Sequence, residues 1–193
     1  RDPAAEAQML VPLAAMGRGD YAREILYALL DGRRPPGWQA WAAGGAGRRP
    51  PGAGPGPGIG FMPDLRAAAA YVLGVRGLAV REAGRRLDLF CGAPAEWLQH
   101  GDGYHVYGAP TAFGPLDLRG RWHRERFTAT IGGGARPPEG YRLWWPRHGL
   151  PDRVLANGSH LRDYDAQGVD LPHDFQGTVE AVFPFAAPWP RDP

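Results

Sequence analysis

The chain has 193 residues, of which 44% are apolar and 22% charged, and its net charge at pH 7 is +2. This length and composition are typical of a globular protein with one large domain or two small ones, and the near-neutral charge gives no indication of nucleic acid or an anionic membrane as a partner. The single cysteine excludes an internal disulfide and a cysteine-based zinc site.

Two stretches near the start have apolar residues at helical spacing. The first covers residues 4–16 and includes Pro12, which could kink the segment or lie in a first turn. The second covers residues 20–31, with Asp20 at the N-cap position and a glycine directly after its last residue. The sequence therefore predicts two amphipathic helices here.

A segment rich in glycine and proline separates these helices from the next one. In residues 43–60, 12 of 18 positions are glycine or proline, so the segment has too few apolar side chains to offset the entropy of ordering it. We predict a flexible loop. A third helix is predicted from Pro63, which suits a first helical position, to a stop at Gly77.

From residue 85 the apolar residues alternate with a period of two. Seven short stretches read as strands, each bounded by turn residues: 85–92, 104–107, 115–122, 126–133, 141–145, 153–158 and 177–185. Such spacing predicts an antiparallel sandwich. The predicted fold class is α+β by succession, with a helical segment at 1–82 and a β-sandwich domain at 83–193.

Single residues within the β half have specific interpretations. Pro110 and Pro115 cannot donate to a ladder, so the strands bend there or lie at a sheet edge. Asn157 opens an Asn-Gly-Ser sequence that fits a hairpin turn or, less well, a glycosylation acceptor. Cys91 alternates with leucines on an apparent strand, which favours a core residue over a nucleophile.

Metal and nucleotide sites are not indicated. The six histidines are spread through the β half without the HxH or HExxH spacing of zinc ligands, and we interpret them as surface or turn residues. Asp163, Asp165 and Asp170 loosely resemble a calcium loop but lack its glycine and its final glutamate, so we interpret them as loop carboxylates in solvent. We expect no metal and no cofactor.

An aromatic cluster follows the second predicted helix. Trp38 and Trp41 flank Gln39, and such a trio suits a carbohydrate pocket because indole rings stack on sugar faces and an amide bonds hydroxyls. Two tryptophans three residues apart can equally be core on one helical face. Composition alone favours the core interpretation.

Several phrases, taken in order, resemble the C-terminal portion of bacterial six-hairpin glycosidases, whose catalytic domain is an (α/α)6 barrel. The phrases are "DGRRPPGWQAWA", "GIGFMPDLRAAAAYVLGVRGLAVRE", "LDLFCGAPAEWL", "APTAFGPLDLRG" and "RVLANG" with "DYDAQGVDLPHDFQGTVEAVF". Where the family usually carries Asp and His around Met-Pro, this chain has Phe61 and Asp64. The resemblance implies that Trp38, Gln39, Trp41 and Asp64 line a saccharide site at the barrel mouth.

The resemblance also implies that much of the barrel is missing. An (α/α)6 barrel needs about a dozen helices, and the catalytic carboxylates of such a glycosidase would lie upstream of this chain. Glu24 and Glu82 are not nominated in their place, since Glu24 suits a solvated helix face and Glu82 a turn. The expected partners are a carbohydrate and the missing N-terminal part of the same protein.

We therefore expect a C-terminal fragment of a glycoside hydrolase-like protein, inactive alone, with apolar helix faces that its missing neighbours would cover. The chain does not begin with methionine, which also suggests a piece of something longer. It shows no run of 18 apolar residues and no export signal, so its compartment depends on that missing part. The alternatives are a non-catalytic carbohydrate-binding module and an interaction domain that mediates assembly.

Overall fold

The computed structural model describes residues 2–33, 40–41, 63–147 and 149–184. Within them the chain forms five helices and ten strands. The helices are α1 (Pro3–Gln8), α2 (Leu10–Ala15), α3 (Gly19–Asp31), α4 (Leu65–Ala79) and α5 (Ala95–Gln99). The strands are β1 (Val80–Ala83), β2 (Arg86–Leu89), β3 (Tyr104–Thr111), β4 (Gly114–His123), β5 (Arg126–Gly133), β6 (Tyr141–Trp144), β7 (Arg153–Ala156), β8 (Ser159–Leu161), β9 (Gly168–Leu171) and β10 (Gly177–Val182).

The first predicted helix is two short helices that meet at Met9. A continuous helix would set the ring of Pro12 against the carbonyl of Gln8, and Pro12 has no N–H to bond that carbonyl. After the break, Pro12 is the third residue of α2, in the first turn, where an N–H is not needed. Of the two alternatives for Pro12, the first-turn position is therefore the one observed.

The other two predicted helices form with shifted starts, and the third continues past the stop predicted at Gly77 to Ala79. Helix α3 begins at Gly19, so Asp20 lies in its first turn and not at the N-cap. From the first turn Asp20 forms an ion pair with Arg18. Helix α4 begins at Leu65, and its N-cap is Asp64, whose Oδ1 accepts hydrogen bonds from two backbone N–H groups of the first turn. Pro63 thus precedes the N-cap and is not the first helical residue. Asp64 is the N-cap, a position at which aspartate is preferred because its carboxylate accepts from the free backbone N–H groups.

The strands form two sheets. One has four strands in the order β1-β2-β6-β9, and the other has six in the order β3-β4-β5-β10-β7-β8. All pairs are antiparallel except β2 with β6, so the expectation of a purely antiparallel sandwich is wrong at that pair. Strands β1, β8 and β9 and helix α5 were not predicted, because each has five residues or fewer and little periodicity to detect.

One proline of the β3–β4 hairpin, Pro110, lies at a sheet edge as expected, whereas Pro115 is the second residue of the interior strand β4. Pro110 pairs with Pro115 near the end of β3, which is the edge strand of the six-stranded sheet, and the register shifts between Val106 and Ala109. At the other end of the sheet, Asn157 and Gly158 both have positive φ and join β7 to β8. This confirms the hairpin turn predicted at Asn157.

Two apolar clusters hold the elements together. The larger one fills the space between the sheets with leucines and aromatic rings, among them Leu89, Leu118, Phe127, Tyr141 and Leu143. The smaller one joins the helices and contains Leu10, Leu26, Leu29, Trp41, Leu78 and Cys91. The helices-then-sheets succession of an α+β fold is thus observed, and strand β1 spans the predicted boundary at residues 82 and 83.

Candidate functional site

Trp41 and Asp64, two of the four residues predicted to bind a saccharide, lie together where α3 ends and α4 begins. The backbone N–H of Asp64 donates to the carbonyl of Trp41 over 2.9 Å. The other two, Trp38 and Gln39, lie outside the described residues. Of the four predicted residues, the two that the structure describes are therefore in contact.

Trp41 is a core residue in this structure. It is 6% exposed, its indole Nε1 donates to the carbonyl of Leu29 over 2.6 Å, and its ring lies 5.0 Å from that of Tyr71. Burial raises the pKa of the Tyr71 hydroxyl above its ordinary value, against the opposing charge of Arg33. Because Tyr71 covers its ring, Trp41 supports the local structure and offers no open face to a sugar in this arrangement.

Asp64 has one carboxylate oxygen in use and one unused. Its Oδ1 accepts from the backbone N–H of Arg66 at 2.9 Å and of Ala67 at 3.2 Å, which fixes the rotamer. Its Oδ2 is buried and has no hydrogen-bond partner among the described residues. A buried carboxylate oxygen without a partner can accept a hydrogen bond from a ligand hydroxyl. Substrate binding by Asp64 remains a prediction.

Tyr71 was not anticipated as part of this site. It lies seven residues after Asp64, two turns along α4. Spacing of this kind places two residues on the same side of a helix. The sequence thus contained a signal for Tyr71, although the contact with Trp41 depends on how α3 and α4 pack.

The two carboxylates set aside as catalytic candidates remain without support for such a role. Glu24 lies on the exposed side of α3, as expected. Glu82 lies in strand β1 and not in a turn, where it pairs with Arg76 at 2.9 Å and accepts from the N–H of Ala112. Both interactions give Glu82 a structural role in joining α4, β1 and the β3–β4 turn.

A row of alternating charges crosses the four-stranded sheet. In register, Arg81 faces Asp88, Asp88 faces Arg142, and Arg142 faces Asp170. Asp88 is fully buried and accepts from both Arg81 and Arg86, whereas Arg142 pairs with Asp165 and Asp170. These ion pairs join β1 to β2 and β6 to β9.

Two of the loop carboxylates compared above with a calcium loop belong to this row. Partial burial acts to raise the pKa of Asp165, but the hydrogen bond from Arg142 and two backbone N–H groups outweigh it and hold that pKa below its usual value. Asp165 and Asp170 are both exposed, as expected, and both pair with Arg142. Asp170 lies in strand β9, so the interpretation as a loop carboxylate is wrong for that residue. Among the described residues no group of three or more metal-ligating side chains has an arrangement that could hold a metal ion.

The helices also carry exposed apolar side chains. Along α4, Leu65, Val72 and Leu73 are 74%, 63% and 59% exposed. They lie opposite the side that packs on α1 and α2, where the small residues Ala67 and Gly74 are buried. No charged residue occurs from 67 to 75, so this middle part of α4 is apolar on two opposite faces, with Arg66 and Arg76 at its two ends.

None of the helices in the described part of the chain combines the length and apolar character needed to cross a membrane. Comparisons of the chain with family models, curated proteins and solved structures gave no match. The glycosidase resemblance therefore rests on the five ordered phrases of the sequence.

Proposed function

We propose that this chain is the C-terminal part of a six-hairpin glycosidase-like protein, comprising the last helices of an (α/α)6 barrel and a terminal β-sandwich. The intact protein hydrolyses a saccharide, and its catalytic carboxylates lie in the part upstream of this chain. The single observation that carries the proposal is the apolar outer face of α4, defined by Leu65, Val72 and Leu73.

A helix that is apolar on opposite faces is normally buried on both. The three side chains expose on the order of 300 Å² of apolar surface, which is about the size of the largest apolar patch on a typical monomer, and such patches are often functional. Covering it would contribute about 7 kcal/mol at 25 cal/mol per Å². A neighbouring barrel helix is the occupant that this geometry and the ordered phrases support together.

The test compares Leu73→Asp with Leu150→Asp, because both leucines are 59% exposed in this chain. In the isolated chain, both substitutions change the free energy of unfolding by less than about 1 kcal/mol. In the full-length parent, Leu73→Asp lowers the melting temperature and the rate of aryl glycoside hydrolysis, and Leu150→Asp changes neither. Equal tolerance of both substitutions in the parent rules out a covered α4 and with it the barrel remnant.

A non-catalytic interaction module is the second candidate, since the same apolar face would suit a partner protein or a second copy. Light scattering separates the two: a defined oligomer that Leu73→Asp dissociates supports the module, whereas a monomer supports the barrel remnant. A parent that lacks hydrolytic activity but binds glycans would support a carbohydrate-binding module. Trp38→Ala is the variant for that binding test, because Trp41→Ala would empty a buried site.

A further inference from the structure

The outer face of the six-stranded sheet carries a patch of unpaired basic side chains. Strand β4 alternates strictly: its buried residues face the sandwich core, and its outward residues are Asp117, Arg119, Arg121 and His123. Arg119 and Arg121 are successive outward positions, about 7 Å apart along the strand. This places two guanidinium groups side by side on an open surface.

Neither arginine forms an ion pair or hydrogen bond with any of the described residues, in contrast to Arg126 on the next strand, which pairs with Glu180 at 3.3 Å. The other carboxylate of this part of the face, Asp117, accepts from the backbone N–H of Gly108 at 2.7 Å. The positive charges of Arg119 and Arg121 are therefore not neutralised by a neighbouring carboxylate.

The neighbours of these arginines are hydrogen-bonding groups. Across the ladder, Arg119 faces His105 on β3 and Thr130 on β5, and Arg121 faces Thr128 on β5. Directly opposed residues in adjacent strands have Cβ atoms about 5 Å apart, so the two hydroxyls lie within reach of a group bound by the guanidiniums. The Thr130 hydroxyl also contacts that of Thr178 at 3.2 Å, and the imidazole Nε2 of His105 already bonds the carbonyl of Asp102 at 2.9 Å.

An exposed aromatic ring borders the patch. Tyr107, next to the register shift in β3, is 75% exposed, and its ring stands edge-on to that of His105 at 6.3 Å. Its face is open for stacking. An open aromatic ring beside charged and hydroxyl groups offers both an apolar surface and polar contacts to one ligand.

We propose that the outer face of strands β3 to β5 binds an anionic saccharide chain, with Arg119 and Arg121 on its carboxylates and Tyr107 stacked on a sugar ring. Guanidinium groups match carboxylate oxygens in a bidentate arrangement. Threonine hydroxyls are suited to the sugar hydroxyls. The choice of a saccharide among polyanions rests on the proposed function.

The test is titration of the intact chain with polygalacturonate, with its fully methyl-esterified form as the neutral control. The ester is expected to bind at least roughly tenfold more weakly, because it removes the charged acceptors. Binding of the acid form should weaken as salt is added. The double substitution Arg119→Gln/Arg121→Gln should also weaken it at least roughly tenfold.

The matched control is Arg66→Gln/Arg85→Gln, which removes the same net charge from exposed positions outside this face. It should leave binding unchanged, and equal melting temperatures for the two double variants exclude unfolding as the cause. Arg119→Lys/Arg121→Lys should restore part of the affinity. Tyr107→Ala should weaken binding without changing its salt dependence.

Two results overturn the proposal: affinity that does not change in Arg119→Gln/Arg121→Gln, or equal binding of the esterified chain. Tighter binding of single-stranded DNA or anionic vesicles than of polygalacturonate overturns the saccharide assignment. None of these outcomes bears on hydrolysis of neutral aryl glycosides by the parent protein. Failure of this proposal is therefore distinguishable from failure of the proposed function.

Discussion

Replacing Asp88 with asparagine tests whether the charged row holds the four-stranded sheet together. Asp88 is fully buried and accepts hydrogen bonds from Arg81 and Arg86, whose side chains are 20% and 37% exposed. Asp88→Asn keeps the shape of the side chain and removes its charge. Two guanidinium groups would then lie close together without an anion between them.

The expected loss follows from the burial of the three groups. Removing one partner of a buried ion pair typically costs 3–5 kcal/mol, because the other charge stays desolvated. Here both arginines retain some contact with water, so we expect a loss of about 3 kcal/mol in the free energy of unfolding. In a domain of this size, that corresponds to a decrease of about 6–12 °C in melting temperature.

Asp170→Asn is the matched control, since Asp170 occupies the end of the same row and pairs with Arg142 at 3.0 Å but is 68% exposed. An exposed pair contributes about 1 kcal/mol or less. Urea unfolding followed by tryptophan fluorescence measures both variants, and unchanged m-values keep the comparison valid. Equal losses for the two substitutions, or a loss below about 1 kcal/mol for Asp88→Asn, would refute the role given to burial.

Two further predictions concern the helical half. Burial raises the pKa of the Cys91 thiol to about 11 from its ordinary value of 9.0. At pH 8 we therefore expect Ellman's reagent to react at least about 100-fold more slowly with the native chain than with the chain in guanidinium chloride. The stability that this thiol contributes is complete below pH 9 and should disappear as the pH rises through 11. Comparable rates for native and denatured chains would contradict a buried thiol. Gly74→Ala should destabilise by about 1–3 kcal/mol despite the better helix propensity of alanine, because the new Cβ would lie 2.7 Å from Leu10 Cδ1. Gly77→Ala should cost less in the same thermal melt, since its Cβ meets only Val11 Cγ2 at 3.1 Å.

Local chemistry made several parts of the fold predictable from the sequence. The helix over α3, the strands with period-two alternation and the turn at Asn157 all depend on neighbouring residues alone. The break at Met9 follows from a proline whose effect reaches back four residues, and the two alternatives for Pro12 already contained it. Strands β1 and β8 pair with their neighbours in the chain and were missed because so few residues show little apolar periodicity, whereas β9 depends on pairing with the more distant β6.

The candidate sites depend on such distant pairing even more strongly. Whether Trp41 binds a sugar or fills the core was open because the answer depends on Tyr71, 30 residues later, packing against its ring. The net charge of +2 gave no indication of a basic face, because it sums the whole chain. Arg119 and Arg121 form no ion pair with the described carboxylates, and this arrangement depends on the register of β3, β4 and β5.

The same reasoning explains why the apolar outer face of α4 carries the functional proposal and the aromatic cluster does not. Trp41 and Cys91 are both buried in the helical cluster, so contacts with other described residues are enough to explain their positions. The positions of Leu65, Val72 and Leu73 are not explained in this way, because all three are exposed. A helix with apolar residues on opposite faces gains stability when both faces are covered. Leucine and valine at exposed positions of a 15-residue helix are best explained by a contact that the described residues do not make.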